Sequence, residues 1–320
     1  MVISFFEIND IEKERFSKKL TGHTLRFFED TIQKVNPDEY LDSDVISVFI
    51  HSKVNEENIC NCPNLKLIAT RSTGTDHIDL EYAKLKNIQV KNVPLYGENT
   101  VAEHTFALML ALSRKIHESY IETARGNFST EGLMGFDLKN KTIGIIGGGR
   151  IGLHVARMAR SFGMHVRVYD IHQDHFLSEL INFKYVTLDE LLKEADIISL
   201  HVPLNTHTAH MINKDTISQM KNGVLIINTA RGGLIKNADL IAGLESGKIY
   251  GAGLDVLEGE EFLFEEALSN SPIENAAKVI VESTLLSKMP NVVITPHNAF
   301  NSIEAVHRII DTTIDNILNS

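Results

Sequence analysis

Apolar positions along this chain gather in short runs separated by amphipathic stretches. Val2–Phe6, Val45–Ile50, Leu65–Thr70 and Ile88–Val93 read as strands, with helical patterns between them. Such alternation predicts a parallel sheet. A long helical stretch follows from Thr100 to Ser119, opened by Thr100 and Glu103, whose spacing lets their side chains cap the first backbone N–H groups. It is expected to join two domains. A second series supplies strands at Thr142–Ile146, His165–Tyr169, Ile197–His201, Val224–Thr229, Tyr250–Asp255 and Val292–Thr295, with helical faces at Leu188–Ala195 and Ala238–Leu244. Continuous runs such as Val224-Leu225-Ile226-Ile227 lack polar alternation, as strands covered on both faces do. The pattern predicts an α/β protein with two doubly wound parallel sheets.

A length of 320 residues also fits two domains. Charge excludes more. Lys and Arg number 31 against 42 Asp and Glu, a net −11 that repels phosphate backbones and anionic lipid. Nucleic acid and membrane are therefore not expected partners. Cys60 and Cys62 are too few for a zinc site and too close for a disulfide framework, so they read as free thiols. The apolar start, Met1–Phe6, runs at once into Glu7, Asp10, Glu12 and Glu14, which fits a first strand and not a signal peptide. The longest apolar run, Phe106–Leu112, falls short of the ~18 residues a bilayer requires. A cytoplasmic protein is expected.

Chemistry enters at Thr142-Ile143-Gly144-Ile145-Ile146-Gly147-Gly148-Gly149-Arg150-Ile151-Gly152, a buried strand leading through G-x-G-x-x-G into a helix. Gly147 permits the tight turn, Gly149 lets backbone approach a pyrophosphate, and Gly152 lets the helix pack closely on the strand. Ile151, Val155, Met158 and Phe162 recur at helical spacing and predict the buried stripe. The helix N-terminus suits a diphosphate, and Arg150 adds a cation there. Asp170 ends the next strand, eighteen residues past Gly152, where a carboxylate accepts from ribose hydroxyls and repels a 2′-phosphate. The expected cofactor is NAD.

In the C-terminal half, polar residues follow predicted strands, at the edge where open α/β sheets bind ligands. Arg231, in Thr229-Ala230-Arg231-Gly232-Gly233, offers a planar fork for a carboxylate. Asp255 and Glu260 follow the next strand, and His297 follows the last. Hydride transfer to a 2-keto acid needs a carboxylate clamp, a proton donor and a partner that keeps the donor charged, which Arg231, His297 and Glu260 can supply. His104 and His201 read as structural.

The chain resembles the D-isomer-specific 2-hydroxyacid dehydrogenase family, and within it the D-lactate dehydrogenases. The carriers are Arg71-Ser72-Thr73-Gly74-Thr75-Asp76-His77-Ile78-Asp79, Asn92-Val93-Pro94-Leu95-Tyr96, Asn99 to Glu103, the glycine motif, His201-Val202-Pro203, Thr229-Ala230-Arg231, Leu254-Asp255-Val256 and Thr295-Pro296-His297. The resemblance implies that Arg231 binds and polarises the substrate, that His297 donates the proton, and that Glu260 pairs with the imidazole. Asp255 would face the nicotinamide. Gly147, Gly149, Arg150, Ile151, Gly152, Asp170, Val202, Pro203, Thr208, Thr229, Ala230 and Arg231 would line the cofactor. Amides near Thr73 and Gly74 would receive the substrate carboxylate, with Tyr96 and Phe300 bounding a small side-chain pocket. The implied architecture has a substrate domain, 1–99 plus 299–320, and an NAD domain, 100–298. A cleft would lie between them, and helix Ile303–Leu318 would return to the first domain. A homodimer is implied too.

Pyruvate reduction to D-lactate is the expected reaction. The alternatives are a D-3-phosphoglycerate or broad 2-keto-acid dehydrogenase acting on hydroxypyruvate or glyoxylate, and a non-catalytic NAD(H)-sensing protein of the same fold. A phosphorylated substrate would want cations such as Arg71 and Lys91. The stretch Phe262–Met289 looks longer than the family's usual link between Glu and His and could reshape the pocket rim.

Overall fold

A computed structural model describes residues 1–260 and 273–319. The chain divides into two compact units, Met1–Tyr96 with Asn301–Ser320, and Gly97–Phe300.

In the first unit, β1 (Val2–Phe5), β2 (Thr24–Phe27), β3 (Val45–Val48), β4 (Leu67–Thr70) and β5 (Gln89–Lys91) form a parallel sheet in the order β2-β1-β3-β4-β5. β3 and β4 are buried along their whole length, hence their apolar runs. β2 is an edge strand of mixed Thr-Leu-Arg-Phe character with no fully buried position, so no apolar run announced it. Helix Ile303–Leu318 has the expected bounds and sends Ile310, Ile314 and Ile317 into a core with Ile3, Phe5, Phe16 and Leu67.

The second unit holds β6 (Thr142–Ile146), β7 (His165–Tyr169), β8 (Lys184–Tyr185), β9 (Ile197–Leu200), β10 (Val224–Asn228), β11 (Ile249–Leu254) and β12 (Val292–Ile294). They are parallel, in the order β12-β11-β10-β9-β6-β7-β8. The two-residue edge strand β8, Lys-Tyr, carries no apolar run. The sheet's direction of winding reverses between β6 and β9, where an α/β sheet opens a crevice at its carboxyl edge.

The expected helix 100–119 is two helices, Glu98–Ser113 and Ile116–Ala124, broken at Lys115, whose φ is +50°. The first begins at Glu98 with Gly97 as its N-cap, so Thr100 lies inside the first turn, and no side chain caps the helix. Glu103 instead accepts from Asn99 Nδ2 at 2.5 Å. The helix after the glycine turn, Arg150–Ser161, buries Gly152, Val155, Ala156 and Ala159. Ile151 and Met158 are half-buried, and Phe162 is exposed at the C-cap, stacking on Phe106. Of the expected stripe only Val155 is fully buried, and it faces the core with the small residues Gly152, Ala156 and Ala159. Helix Ile273–Lys288 occupies most of the stretch expected to lengthen the pocket rim, while residues 262–272 of that stretch lie outside the described residues. Among the described residues no helix is long and apolar enough to cross a membrane.

Candidate active site

Because every strand of the second unit runs the same way, the residues that follow the strands all lie along one edge. Gly147–Arg150 follow β6, Asp170 follows β7, Val202 and Pro203 follow β9, Thr229–Arg231 follow β10, Asp255 follows β11 and His297 follows β12.

The glycine turn sits at the reversal point. Gly147 has φ +104°, and a Cβ there would lie 2.6 Å from the His201 carbonyl, so the β6 and β9 loops abut. A Cβ on Gly152 would lie 1.9 Å from the Gly147 oxygen, which makes Gly152 a requirement of the turn itself as well as of helix–strand packing. At Gly149 a Cβ would meet nothing within 4 Å, leaving open space above the N-terminus of helix Arg150–Ser161. That open backbone at the end of a twelve-residue helix fits a diphosphate. Asp170 is tied to the same turn: Oδ2 accepts from Gly148 N at 2.6 Å and Oδ1 from His172 N at 2.7 Å. Arg150 is largely exposed, 3.6 Å from Glu98. Thr208 Oγ1 donates to Pro203 O at 2.6 Å and accepts from Asn205 N at 2.9 Å, shaping the loop beyond Val202 and Pro203.

His201 lies behind the glycine turn, its Nε2 2.8 Å from Ser199 Oγ. Burial pushes its imidazole down to about 3, so the ring is neutral at pH 7. An unfolded His titrates near ~6.5, so this residue's contribution to stability is complete above that pH. It is lost as acid titrates the unfolded chain first and the folded ring last, across roughly pH 6.5 to 3. A His201→Gln variant is expected to lose less unfolding free energy than the parent between pH 7 and 5, measured by urea titration. Parallel losses would remove His201 as a source of acid sensitivity.

At the other end of the edge, His297 Nδ1 lies 2.7 Å from Glu260 Oε1, and Glu260 Oε2 accepts from Leu257 N at 3.2 Å. The Asp255 side chain is buried, and both of its oxygens are engaged by the β12 turn. Oδ1 accepts from Thr295 Oγ1 at 2.5 Å and Asn298 N at 3.0 Å, and Oδ2 accepts from Ala299 N at 2.9 Å. Arg231 is half-buried, with Nη1 donating to its neighbour Ala230 O at 2.8 Å. The buried Asn228 side chain builds this turn by accepting from Ala230 N and donating to Arg231 O. Gly232 closes it: a Cβ there would lie 1.9 Å from Leu257 O, so the Arg231 turn packs directly on the segment leading to Glu260. In the sequence Gly232 and Thr295 stand only as neighbours of Arg231 and His297, Asn228 ends an apolar strand and His104 reads as structural; their contacts with these turns come from the fold.

In the first unit the loop after β4 is held from behind. Asn92 Nδ2 donates to Thr73 O at 2.7 Å and Ser72 Oγ to Gly74 O at 2.7 Å. Tyr96 O accepts from Arg308 Nε at 2.8 Å. Tyr96 and Phe300 are each half-buried. The two cations considered for a phosphorylated substrate are otherwise engaged. Arg71 is buried, donating to the carbonyls of Phe6, Glu7 and Ser47, and Lys91 donates to Asn316 O and Asn319 O.

Comparison with known proteins gives this edge its chemistry. The family model for the D-isomer specific 2-hydroxyacid dehydrogenase NAD binding domain matches residues 106–299. An aromatic 2-oxoacid reductase of Clostridium sporogenes is 41% identical over 95% of this chain and 90% of its own. The D-lactate dehydrogenase of Escherichia coli is 41% identical over 80% of this chain and 76% of its own. The crystal structure of D-lactate dehydrogenase from Aquifex aeolicus, complexed with NAD and lactic acid, superposes with a TM-score of 0.88 at 38% identity, covering 99% of this chain and 94% of that one. A strand–glycine–helix turn, an acid after the next strand and this depth of likeness across both units leave one assignment: the chain belongs to the D-isomer-specific 2-hydroxyacid dehydrogenases, NAD-dependent oxidoreductases.

Proposed function

We propose that the protein reduces pyruvate to D-lactate with NADH, His297 acting as proton donor and Arg231 as substrate clamp. The observation that carries this reading is the 2.7 Å contact between His297 Nδ1 and Glu260 Oε1. With Nδ1 given to the carboxylate, Nε2 is the nitrogen left to face a carbonyl oxygen, and Glu260 stabilises the imidazolium that gives up its proton there. NADH, when bound there, would supply the hydride for the carbonyl carbon. Arg231 pairs with the substrate carboxylate and draws charge toward the carbonyl oxygen. In the reverse reaction His297 takes the hydroxyl proton.

Arg150, Ile151, Val202, Pro203, Thr208, Thr229 and Ala230 line the proposed coenzyme path along the sheet edge. Asp170 accepts from the ribose hydroxyls in this reading. Asp170→Ala is expected to weaken NADH binding and narrow the preference for NADH over NADPH, measured as the ratio of kcat/KM values. An unchanged preference would remove Asp170 from the ribose.

The engagement of Arg71 and Lys91 weighs against a phosphorylated substrate. A second reading, reduction of aryl 2-oxo acids, is favoured by the likeness to the Clostridium sporogenes reductase. Initial rates with pyruvate, phenylpyruvate, oxaloacetate, glyoxylate and hydroxypyruvate, followed by NADH absorbance, decide between them. The highest kcat/KM is expected for pyruvate, and a preference for phenylpyruvate would overturn that choice.

We further propose a homodimer formed through the second unit, in the cytoplasm where NADH is at hand. Tyr120, on helix Ile116–Ala124, and Phe128 and Met134, in the segment that follows it, are 74%, 81% and 88% exposed, apolar side chains that a second copy would cover. Light scattering is expected to give twice the chain mass, and Phe128→Glu combined with Met134→Glu the monomer mass. A monomeric parent would end the proposal.

A further inference from the structure

We infer that His104 is a positioning residue for the turn that carries His297, acting through the Thr295 hydroxyl and the Asp255 carboxylate. The inference rests on the reading of His297 as proton donor. His104 lies on helix Glu98–Ser113, which packs against β11 and β12. Its Nε2 is 2.9 Å from Thr295 Oγ1 and 3.5 Å from Asp255 Oδ1. Thr295 Oγ1 is in turn 2.5 Å from Asp255 Oδ1.

These distances fix the protons. A carboxylate only accepts, and a hydroxyl has a single hydrogen, so the Thr295 proton is committed to Asp255. The hydroxyl can then meet His104 only as an acceptor, which places a proton on His104 Nε2. Were that nitrogen bare, it would compete with Asp255 for the same hydrogen.

The chain of bonds ends at the proposed proton donor. Asp255 accepts from the N–H groups of Asn298 and Ala299 through its side chain and from His297 N, at 2.8 Å, through its carbonyl. One residue thus holds three consecutive amides. The restraint is needed because His297 has φ +50°, a left-handed conformation that is unfavourable for a non-glycine residue and persists only where its surroundings impose it. The next helix residue makes a parallel link, Thr105 Oγ1 lying 2.9 Å from Thr229 Oγ1 at the head of the Arg231 turn. Adjacent positions on one helix therefore brace both turns that carry the proposed chemistry.

The test compares His104→Leu, which removes the donor, with His104→Gln, whose amide N–H has similar reach. In the otherwise intact enzyme, with NADH and the fastest 2-oxo acid, His104→Leu is expected to lower kcat about 10- to 100-fold, the scale of a slightly misplaced catalytic group. NADH affinity should stay within about twofold, and His104→Gln should recover kcat to within about threefold of the parent. Thr295→Val should reproduce the loss and Thr295→Ser should not, a comparison that stands if His104→Leu does not fold. The double variant His104→Leu with Thr295→Val should be no slower than the slower single, since both break one chain of bonds. A kcat within twofold of the parent for His104→Leu, a glutamine variant as slow as the leucine one, or multiplying losses would each overturn the inference. A parent that turns over no 2-oxo acid would instead sink the functional reading beneath it.

Discussion

Replacing His297 with alanine is expected to slow 2-oxo acid reduction by about 10²–10⁴-fold, equivalent to about 3–5 kcal/mol of transition-state stabilisation, while NADH affinity barely moves. The two effects separate because the imidazole follows β12, at the far end of the sheet edge from the glycine turn between β6 and β9. Its proton is needed only as negative charge develops on the substrate oxygen. Alanine removes that proton source and leaves Glu260 without the partner it holds at 2.7 Å. Steady-state kinetics with direct titration of NADH fluorescence provides the check. A kcat within threefold of the parent would take the acid role away from His297, and an NADH affinity falling in step with kcat would point to collapse of the turn. Glu260→Gln isolates the partner: its amide keeps an acceptor for Nδ1–H at the same place but withdraws the carboxylate charge, so the loss should be smaller than for alanine at 297.

Much of this arrangement is legible in the sequence because its physics is local. Strands covered on both faces are largely apolar, so β3, β4, β6, β9 and β10 show in the sequence as apolar runs, whereas β2 and β8 are edge strands with half-exposed positions and no such signature. The tight turn at Gly147, with φ +104° and the His201 carbonyl 2.6 Å from where a Cβ would stand, suits glycine and shows in the sequence as the first glycine of the motif. The helix starts two residues before Thr100, with Gly97 as its N-cap, because the capping pattern of Thr100 and Glu103 is not used as a cap. The braces of the site are illegible for another reason. His104 and Thr295 stand 191 residues apart, and Gly232 is required by the backbone of Leu257, so only the folded sheet brings each pair together. The residues proposed to touch substrate follow strands and can be read from position, while those that hold them in place cannot.

The glycine turn allows the coenzyme site to be tested apart from the fold by two substitutions three residues apart. Gly152→Ala puts a Cβ 1.9 Å from the Gly147 carbonyl oxygen, a backbone atom that cannot swing aside, so the helix must shift off the sheet or the turn must open. Either response costs about 1–3 kcal/mol of stability and spoils the N–H array at the helix N-terminus. Gly149→Ala meets nothing within 4 Å, and its φ of −70° suits any L-residue, so the free protein should melt within about a degree or two of the parent. Its methyl group enters the space a diphosphate would occupy, and NADH affinity should fall by tenfold or more, about 1.4 kcal/mol. The expected pattern is therefore two variants impaired in NADH binding, of which only Gly152→Ala has a lowered melting temperature. If Gly149→Ala bound NADH as the parent does, the diphosphate would have to lie elsewhere on the edge. If it melted as early as Gly152→Ala, the open space above the helix would be serving the fold and not the coenzyme.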